Sequence, residues 1–519
     1  MKRLLYFIST ISVLLLWSSC RKDFDFDPSQ GQLQFSKDTV YLDTVFSNIG
    51  SSTYNLKVYN RSNNDISIPT LQLAEGETSN YRLNVDGIFG KIFEDVEILA
   101  KDSMYIFIET TVDIETLATT DEQFLYTDAI EFDSGANLQK VELVTLVKDA
   151  VFIYPNKDAQ GVIETLTFDL DGDGTDDETG IQGRFLEDDE LTFTNQKPYV
   201  IYGYAAVNAG ETLTIEAGAR VHFHANSGLI ITDNASLNIN GALSADQELL
   251  ENEVILQGDR LEPLFEDVPG QWGTIWLYNG SQNNTINYAT IQNATIGILS
   301  EGNQAAVNDK LTITNSQIYN SSNYGILGRA TSIKAENVVI NNSGQSSFAG
   351  TYGGKYNFTH CTIVNYWSNS FRQFPSVFLN NYIEDEDQTV FVNNLDEANF
   401  NNCIIYGNDN PEVLYDENDA ADFNFKFTNT LIRFQNTNNF FSGANYDFDD
   451  TNLYENCIFN QNPDFKNTAL NQLMIGDDSE AIAEGNNTFV AQVPTDLLNT
   501  TRTTPPDLGA YQHVTFSDE

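Results

Sequence analysis

The feature that most constrains this chain is a four-residue template in its second half, with Asn in the first place and Ile in the fourth. Matches begin at positions 288, 315, 337, 360, 380, 402, 429 and 456, which are 20 to 27 residues apart. Six of these eight matches have Asn in the first place. The intervening segments have strand and turn residues in place of a helical pattern. Such a repeat predicts a parallel β-helix, in which each repeat forms one coil.

Each place of the template has a physical role in such a coil. Asn tolerates left-handed backbone angles better than other non-glycine residues, so it suits the turn before a strand. Its amide also hydrogen-bonds to an equivalent amide one coil away. The Ile in the fourth place is expected to point inward and to stack on the Ile of the next coil, about 4.8 Å away. We expect residues 199–465 to form about eleven such coils.

Three cysteines occupy the second place of the template, namely Cys361, Cys403 and Cys457. The intervening matches have Asn381 and Thr430 in that place, so consecutive cysteines are expected to lie two coils apart. Two coils separate Cα atoms by about 9–10 Å, whereas a disulfide requires about 4.4–6.8 Å. The spacing therefore predicts three unpaired thiols that pack as small buried side chains.

Residues 32–150 have a different pattern, in which apolar and polar residues alternate over short segments. Tyr54, Leu56 and Val58 alternate in this way before a polar turn, and 104–112 and 141–147 are further segments of this kind. Short strands about ten residues apart, separated by Asn, Asp and Gly turns, predict a β-sandwich. The hairpin VYNRSNNDISI and the strand before TTVD resemble the Ig-like domains of the ASPM/SPD-2/Hydin type.

Strings in the second half resemble a known family. AGETLTIEAGARVHF, ASLNINGAL and PGQWGTIWL resemble the first coils of right-handed β-helix lipoproteins of the pectin-lyase-like class. NPDF, SEAIAEGNN and PDLGAYQ are similar to the choice-of-anchor Q tail, although Glu480 and Gln512 depart from its usual Pro and Glu. The resemblance implies a C-terminal cap over 466–519. The predicted fold is all-β: an N-terminal Ig-like β-sandwich followed by a single-stranded right-handed parallel β-helix.

The charge of the chain limits its partners. Asp and Glu number 74 against 26 Lys and Arg, which gives a formal net charge of −48 at pH 7. Such a polyanion is not expected to bind nucleic acid or an anionic lipid surface. Hydrophobic residues nevertheless make up 41% of the chain and charged residues only 19%, so the composition is that of a folded protein rather than a disordered acidic one.

The first residues have the pattern of an export signal. Two basic residues precede an apolar run over 4–17, which is shorter than the roughly 20 residues that span a bilayer. Small residues before Cys20 resemble a bacterial lipobox, with Trp17 where that pattern usually has an aliphatic residue. The resemblance implies a signal peptide over 1–19, lipidation of Cys20 and a tether over 20–31. A plain signal peptide with an incidental cysteine is the alternative.

The stretch after Cys20 is charged and acidic. It resembles the surface-export signal of Bacteroidota-type lipoproteins. The resemblance implies a lipid-anchored outer-membrane protein exposed at the cell surface, and we expect contact with the membrane only through the N-terminal lipid.

An Asp-rich loop lies within 151–198, which we interpret as an acidic junction between sandwich and β-helix. Its oxygen-bearing residues have the spacing of a Ca²⁺ loop, with a glycine at the sharp turn. The candidate ligands are Asp169, Asp171, Asp173, Thr175 through its carbonyl, and Asp177. The loop resembles those of thrombospondin type 3 repeats and dockerins. The predicted role is a structural Ca²⁺ clamp, and a solvated Asp-Gly turn is the alternative.

A second candidate site is an aromatic cluster around one loop of the predicted β-helix. Its members are Tyr366, Trp367, Phe371, Arg372 and Phe374. Exposed aromatic rings offer flat apolar faces on which sugar rings stack, so the cluster is a candidate glycan platform. Packing of a long turn over the coil is the alternative interpretation.

Pectin-lyase-like enzymes cleave acidic polysaccharides with carboxylates and a Lys or Arg base, so a polysaccharide lyase or glycoside hydrolase is the alternative function. Seven basic residues of the predicted β-helix are considered as possible bases, and they do not cluster with paired Asp: Lys310, Arg329, Lys334, Lys355, Arg372, Lys426 and Arg433. We assign no catalytic residue and favour a non-enzymatic cell-envelope lipoprotein in surface adhesion, glycan binding or scaffolding. The expected partner is an extracellular polysaccharide or a surface protein, bound by a monomer.

Overall fold

The computed structural model describes residues 25–113, 123–170, 175–302, 304, 307–437 and 440–516. The predicted signal peptide, Cys20, Asp171 and Asp173 lie outside these residues. The chain forms two compact units, Met1–Asp149 and Ala150–Glu519, called here the sandwich unit and the β-helix unit. Both consist of strands and turns, which confirms the all-β prediction.

Helical structure in the described residues is confined to short 3-10 turns, and none of these could span a membrane. The turns are Gly76–Thr78, Gly135–Asn137, Asp188–Glu190, Pro263–Phe265, Ala444–Tyr446, Thr468–Leu470 and Asn487–Ala491.

The described part of the sandwich unit contains two sheets. The strands of the six-stranded sheet are Asp27–Pro28, Thr39–Phe46, Ile66–Leu73, Ile92–Ile98, Gln123–Phe132 and Gln139–Lys148. Those of the five-stranded sheet are Gln34–Phe35, Tyr54–Tyr59, Tyr81–Val85, Ile88–Gly90 and Ser103–Thr110. Alternate apolar residues of both sheets, such as Val40 and Leu56, share one buried cluster. Two sheets that face each other across one core form a β-sandwich.

The described part of the β-helix unit contains two long sheets whose strands alternate along the chain. The eleven-stranded sheet contains Val151–Ile153, Tyr199–Ile201, Arg220–Phe223, Val254–Gly258, Ala289–Gln292, Gln317–Ser321, Val339–Ser343, Thr362–Asn365, Ile404–Gly407, Leu431–Ile432 and Ile458–Phe459. Each of its strands pairs in parallel with the strand one coil later. This arrangement is a parallel β-helix.

The second sheet of this unit is eighteen-stranded in the described residues. Its strands are Thr165–Phe168, Asp177–Phe185, Thr192–Phe193, Tyr204–Val207, Thr212–Glu216, Gly228–Ile231, Ser236–Asn240, Trp272–Leu277, Asn284–Asn287, Ala294–Glu301, Leu311–Thr314, Tyr324–Glu336, Phe348–Thr359, Val377–Asn380, Leu395–Asn401, Val413–Asp416, Lys426–Thr428 and Tyr454–Glu455. The described part of the β-helix unit also contains two separate two-stranded hairpins: Tyr382–Glu384 with Val390–Val392, and Phe465–Asn467 with Gln472–Ile475.

The roles predicted for the template hold at seven of its eight matches. The first-place residues with left-handed backbone angles are Tyr288, Asn315, Asn337, His360, Asn402, Asn429 and Asn456. The fourth-place residues pair in one continuous column that runs from Ile291 to Phe459. The amide of Asn337 donates to the side-chain oxygen of Asn315 at 2.9 Å, so part of the predicted amide ladder forms.

The match at 380 is wrong. Asn380 ends a strand of the eighteen-stranded sheet, and the residues after it leave the coil to form the hairpin that contains Ile383, which is exposed. The eleven-stranded sheet passes directly from the strand that begins at Thr362 to the strand that begins at Ile404. Cys361 and Cys403 therefore lie on adjacent coils, and the predicted two-coil separation is wrong for this pair.

Two segments outside the repeat pack on the outside of the coils. The hairpin of Thr165–Phe168 and Asp177–Phe185 covers an apolar patch that includes Ile230 and Tyr278. The C-terminal segment lies along the outer face of the eleven-stranded sheet, where Leu473 and Tyr511 belong to one buried cluster with residues such as Ile404. The amide of Asn402 fixes this segment by donating to the carbonyl of Asn486 at 3.1 Å.

The final coil is covered by a loop rich in aromatic residues. Phe448 of this loop packs against Tyr454 and Phe459 of the last coil, with ring centroids 4.8 Å apart in each case. Aromatic rings also stack along the coil interior, where Phe400 lies 4.8 Å from Phe427 with nearly parallel planes. The abundance of Phe in this chain is thus partly a property of the β-helix core.

Candidate functional site

The five-stranded sheet of the sandwich unit has one face towards its core and the other towards solvent. Tyr105 and Phe107 are 48% and 43% exposed, whereas the Ile residues that alternate with them are fully buried. This alternation arises because successive side chains of a strand point to opposite faces. Phe89 on the edge strand is 76% exposed. We call this side of the sheet the aromatic face, defined by Tyr59, Tyr105, Phe107 and Phe89.

Amide side chains lie beside the rings of the aromatic face. The ring centroids of Tyr105 and Phe107 are 6.3 Å apart, with planes inclined by 21°. Strand pairing places Asn55 and Asn84 opposite Phe107 on the two neighbouring strands, and Asn84 also pairs with Phe89. Opposed residues of antiparallel strands have Cβ atoms about 4.5–5.5 Å apart. Asn55 is exposed, so it offers an amide donor and acceptor to a ligand stacked on Phe107, whereas the side-chain oxygen of Asn84 is buried.

Cationic side chains lie against the tyrosine rings. The Nζ atom of Lys57 lies 5.0 Å from the ring centroid of Tyr105 and 5.4 Å from that of Tyr59. The guanidinium of Arg61 lies 4.2 Å from the Tyr59 centroid. Such contacts contribute about 0.5–1 kcal/mol each at exposed sites. They help to hold the tyrosine rings in place on the sheet surface.

A shallow depression of about 110 Å³ lies beside Phe107. It is lined by Thr53, Arg82, Leu83, Asn84, Phe89, Phe107 and Glu109. The Thr53 hydroxyl donates to Glu109 Oε1 at 2.5 Å, and Arg82 Nη2 lies 3.8 Å from Glu109 Oε2. The depression thus combines two phenyl rings with a guanidinium, a carboxylate and an amide.

A contiguous group of exposed rings is informative in a way that a single exposed ring is not. Scattered surface hydrophobics are normal, whereas grouped ones mark places where something binds. Ring faces contact flat apolar surfaces, and the polar groups around them give directional hydrogen bonds. This combination suits a ligand with an apolar ring face and a hydroxyl-bearing edge, which is the chemistry of a pyranose.

The predicted platform at 366–374 is mostly packed against the β-helix. Trp367 is buried, and Tyr366 and Phe374 are half-buried against other aromatic rings. Phe371 is 87% exposed. One ring of this cluster therefore faces solvent, and the fold does not bring the five residues together as one open surface.

Arg372 of that cluster forms a buried ion pair with Glu412. The two guanidinium Nη atoms donate to the two carboxylate oxygens at 2.7 and 2.8 Å. Glu412 also accepts from the backbone N–H and hydroxyl of Ser376, both at 2.8 Å, and from the N–H of Asp409 at 2.9 Å. With both partners inside the protein, this pair holds the loop on the coil.

The described ends of the Asp-rich loop are held together at the tip of a hairpin. Phe168 pairs with Asp177, so Asp169 and Asp177 lie at the same end of the two strands. Asp177 Oδ2 accepts from the N–H of Leu170 at 3.1 Å. The hydroxyl of Tyr278 donates to the carbonyls of Asp169 and Leu170 at 3.1 and 2.8 Å. Thr175 is the first residue described after the loop.

The seven basic residues that the sequence offers as possible bases are engaged with other groups. Lys310 is buried and donates to the carbonyls of Tyr278 and Glu301, and burial lowers the pKa of Lys310 to about 7. Four others form ion pairs: Arg329 with Glu301, Lys334 with Glu336, Lys355 with Glu397, and Lys426 with Glu455. The guanidinium of Arg433 lies 5.2 Å from the Tyr406 ring centroid.

Carboxylates do not converge on a metal-binding arrangement in the part of the chain that the structure describes. Groups of three or more His, Cys, Asp or Glu side chains placed to hold a metal ion do not occur there.

The predicted sites do not include the aromatic face, although the sequence contains one signal for it. The strand Ser103–Thr110 (SMYIFIET) has aromatic and aliphatic residues in alternation, so both of its faces are apolar. Since only one face of a sandwich sheet meets the core, the other apolar face had to be exposed or covered. Which set is exposed depends on the opposing sheet, and this information is absent from the strand itself.

No protein-family model and no curated protein match this chain. Among solved structures, the E. coli chaperone DraB matches at 11% identity and a TM-score of 0.16, over 24% of this chain and 58% of that chain. A family 123 glycoside hydrolase from Clostridium perfringens matches at 8% identity and a TM-score of 0.16, over 24% of this chain and 30% of that chain. The ASH / PapD-like domain of human CEP192 matches at 10% identity and a TM-score of 0.15, over 25% of this chain and 94% of that chain. The matched region thus spans less than two thirds of the chaperone and of the hydrolase.

Proposed function

We propose that this protein is a glycan-binding lipoprotein of the bacterial cell surface, in which the aromatic face of the sandwich unit holds the glycan. The observation that carries the proposal is the exposed group of Tyr105, Phe107 and Phe89, with Asn55 and Asn84 beside Phe107. The role is adhesion to an extracellular polysaccharide by a monomer, and the β-helix serves as a scaffold.

The shape of the aromatic face favours an extended ligand. Pockets that enclose small molecules typically measure about 300–1,000 Å³, and the depression beside Phe107 is about 110 Å³. A sheet surface of this kind contacts a polymer laid across it, with successive sugar rings on successive aromatic rings. Binding by several weak contacts suits attachment to a polysaccharide that offers many copies of one motif.

Adhesion is preferred to cleavage because of the pairing of basic residues in the β-helix. A lyase of this fold class needs a Lys or Arg free to take a proton from the substrate. The seven basic residues considered for that role are each buried, ion-paired or placed over an aromatic ring. Cleavage of the polysaccharide is therefore the alternative outcome that the binding experiments test.

The remaining features belong to the same proposal. Lipidation of Cys20 would anchor the chain in the outer membrane, as expected for a Bacteroidota-type surface lipoprotein with an Ig-like sandwich and a pectin-lyase-like, choice-of-anchor Q-like β-helix. The Asp-rich loop would hold Ca²⁺ as a structural ion through Asp169, Asp171, Asp173, Asp177 and the Thr175 carbonyl. The hairpin pairing that brings Asp169 and Asp177 to one end fits such a ligand set.

Binding to an array of polysaccharides, followed by titration calorimetry with the best oligosaccharide, tests the proposal. Replacing Tyr105 or Phe107 by Ala removes a stacking surface, so each variant is expected to bind about tenfold more weakly. Reducing ends should not appear when the bound polysaccharide is incubated with the protein.

Tyr41 provides the matched control. It is 66% exposed and lies in the same unit, but on the six-stranded sheet. Tyr41→Ala should leave the dissociation constant unchanged. Binding that survives loss of both Tyr105 and Phe107 would exclude the aromatic face as the site, and release of reducing ends would restore the enzymatic alternative.

A further inference from the structure

We propose that Cys361 and Cys403 form a disulfide when the chain folds under oxidising conditions, and that Cys457 stays a thiol. The first evidence is their position on adjacent coils. Ile404 donates its N–H to the carbonyl of Cys361 at 2.9 Å, and Thr362 pairs with Ile404 in the parallel register. Cys361, Cys403 and Cys457 are thiols in this structure.

Contacts on both sides of the pair fix the register. On one side Thr362 is opposite Ile404, and on the other Asn402 Nδ2 lies 3.0 Å from His360 Nε2. Cys361 and Cys403 stand between these two aligned pairs, so they are opposite each other. Neighbouring strands lie about 4.7–4.9 Å apart, which is inside the Cα separation of about 4.4–6.8 Å that disulfides span.

Both side chains point into the coil interior. Cys361 and Cys403 are fully buried and belong to the β-helix core cluster. The Sγ atom of Cys403 contacts the carbonyl of Phe358 at 3.6 Å, which lies on the coil that carries Cys361. The thiol of Cys403 is therefore directed towards the coil that carries Cys361.

Cys457 provides an internal comparison within the same column. Thr430 lies on the coil between them, because the next residue, Leu431, pairs with Ile404 on one side and with Ile458 on the other. Two coils separate Cys403 from Cys457 by about 9–10 Å. That distance exceeds the reach of a disulfide, so the column selects one pair among three cysteines.

The reaction is an exchange with a small disulfide such as oxidised glutathione. Each thiol loses one proton and one electron, and a bond forms between the two Sγ atoms. The S–S bond of the oxidant breaks, and it takes up two electrons and two protons to become two thiols. Because both thiols are fully buried in the folded coil, the exchange takes place during folding, before the coil closes.

The bond would join the coils on either side of the segment that leaves the β-helix. That segment contains the hairpin of Tyr382–Glu384 and Val390–Val392. The cross-link closes a loop of about 40 residues. A disulfide that closes a loop of this length lowers the conformational entropy of the unfolded chain and so stabilises the folded one. The expected consequence is a higher melting temperature for the oxidised protein.

Oxidative refolding of the full chain tests the inference. The protein is unfolded in urea with a reductant, refolded in a mixture of reduced and oxidised glutathione, digested and mapped by mass spectrometry. We expect a pair of peptides linked through Cys361 and Cys403, lighter by two hydrogen atoms than the reduced peptides. Cys457 should react with an alkylating reagent after denaturation, and the melting temperature should exceed that of the reduced protein by several degrees.

Two serine variants complete the experiment. Cys403→Ser should abolish the linked peptides and the difference in melting temperature, whereas Cys457→Ser should keep both. Alkylation of all three cysteines after oxidative refolding, or a link between Cys403 and Cys457, would overturn the proposal. The peptide map of the unsubstituted chain gives an answer even if a variant fails to fold.

Discussion

At the residue scale, the clearest energetic feature is the Arg372–Glu412 pair inside the β-helix unit. Removing two charges from water is costly unless hydrogen bonds satisfy them. Glu412 meets this condition, since its two oxygens accept from Arg372, Ser376 and Asp409. The sequence predicts a sugar platform that includes Arg372, because an arginine among aromatic residues resembles an open binding site.

Replacing Glu412 by Gln should destabilise the β-helix unit by about 3–5 kcal/mol, because Arg372 is left buried without a counter-charge. Urea unfolding followed by tryptophan fluorescence measures the loss, since the described tryptophans, Trp272, Trp276 and Trp367, all lie in this unit.

The control for this prediction is Lys355→Gln, which breaks a partly exposed pair with Glu397. Its expected cost is below about 1 kcal/mol. Equal losses for the two variants would contradict the argument from burial.

At the element scale, the coil depends on a column of residues with left-handed backbone angles. Non-glycine residues pay about 1–2 kcal/mol for this conformation, and Asn tolerates it best. The same angles occur at Tyr288 and His360, so the turn is a property of the coil and not of Asn alone. In four of the other five confirmed turns the Asn amide also donates to a neighbouring segment: Asn315, Asn337, Asn402 and Asn429.

Asn456 tests the backbone contribution, since it is exposed and its φ is 51°. Asn456→Val should lower the free energy of unfolding of the β-helix unit by about 1–2 kcal/mol, because a β-branched residue is strained at positive φ. Asn456→Gly removes the same amide without strain and should cost less than Asn456→Val. Thermal unfolding of both variants measures the difference, and identical losses would assign the effect to the side chain.

At the scale of the whole molecule, the dominant property is the net charge of −48. Like charges repel and favour expansion of the chain, so bound cations are expected to stabilise it. The Asp-rich loop is the most concentrated candidate site, because its ligands are close in sequence and its ends are joined by hairpin pairing.

Millimolar Ca²⁺ should raise the melting temperature of the β-helix unit relative to chelator, since a ligand that binds only the folded state stabilises it by mass action. Asp177→Asn removes a charged ligand and should abolish most of the rise.

Asp387→Asn is the control, because Asp387 lies in an exposed acidic turn of the separate hairpin. It should leave the Ca²⁺-dependent rise intact. An equal rise in melting temperature for the unsubstituted chain, Asp177→Asn and Asp387→Asn would indicate charge screening by a divalent cation and not binding at the loop.

Much of the β-helix was predictable because its rules are local. The Asn turns and inward Ile residues follow from backbone preferences and from side-chain alternation over four successive residues. The match at Asn380 satisfied both rules and was still wrong, since the residues after it leave the coil. A local pattern contains no information on which coil follows which when a long excursion intervenes.

The sequence by itself determined the all-β class, the repeat and the conformation of its turns, because these depend on neighbouring residues. Tertiary structure decided the adjacency of Cys361 and Cys403, the burial of Arg372 and the exposure of Tyr105 and Phe107. These properties depend on which distant segment covers a given face. A strand that is apolar on both sides, such as Ser103–Thr110, has two equivalent candidates for its inner face until the second sheet packs against one of them.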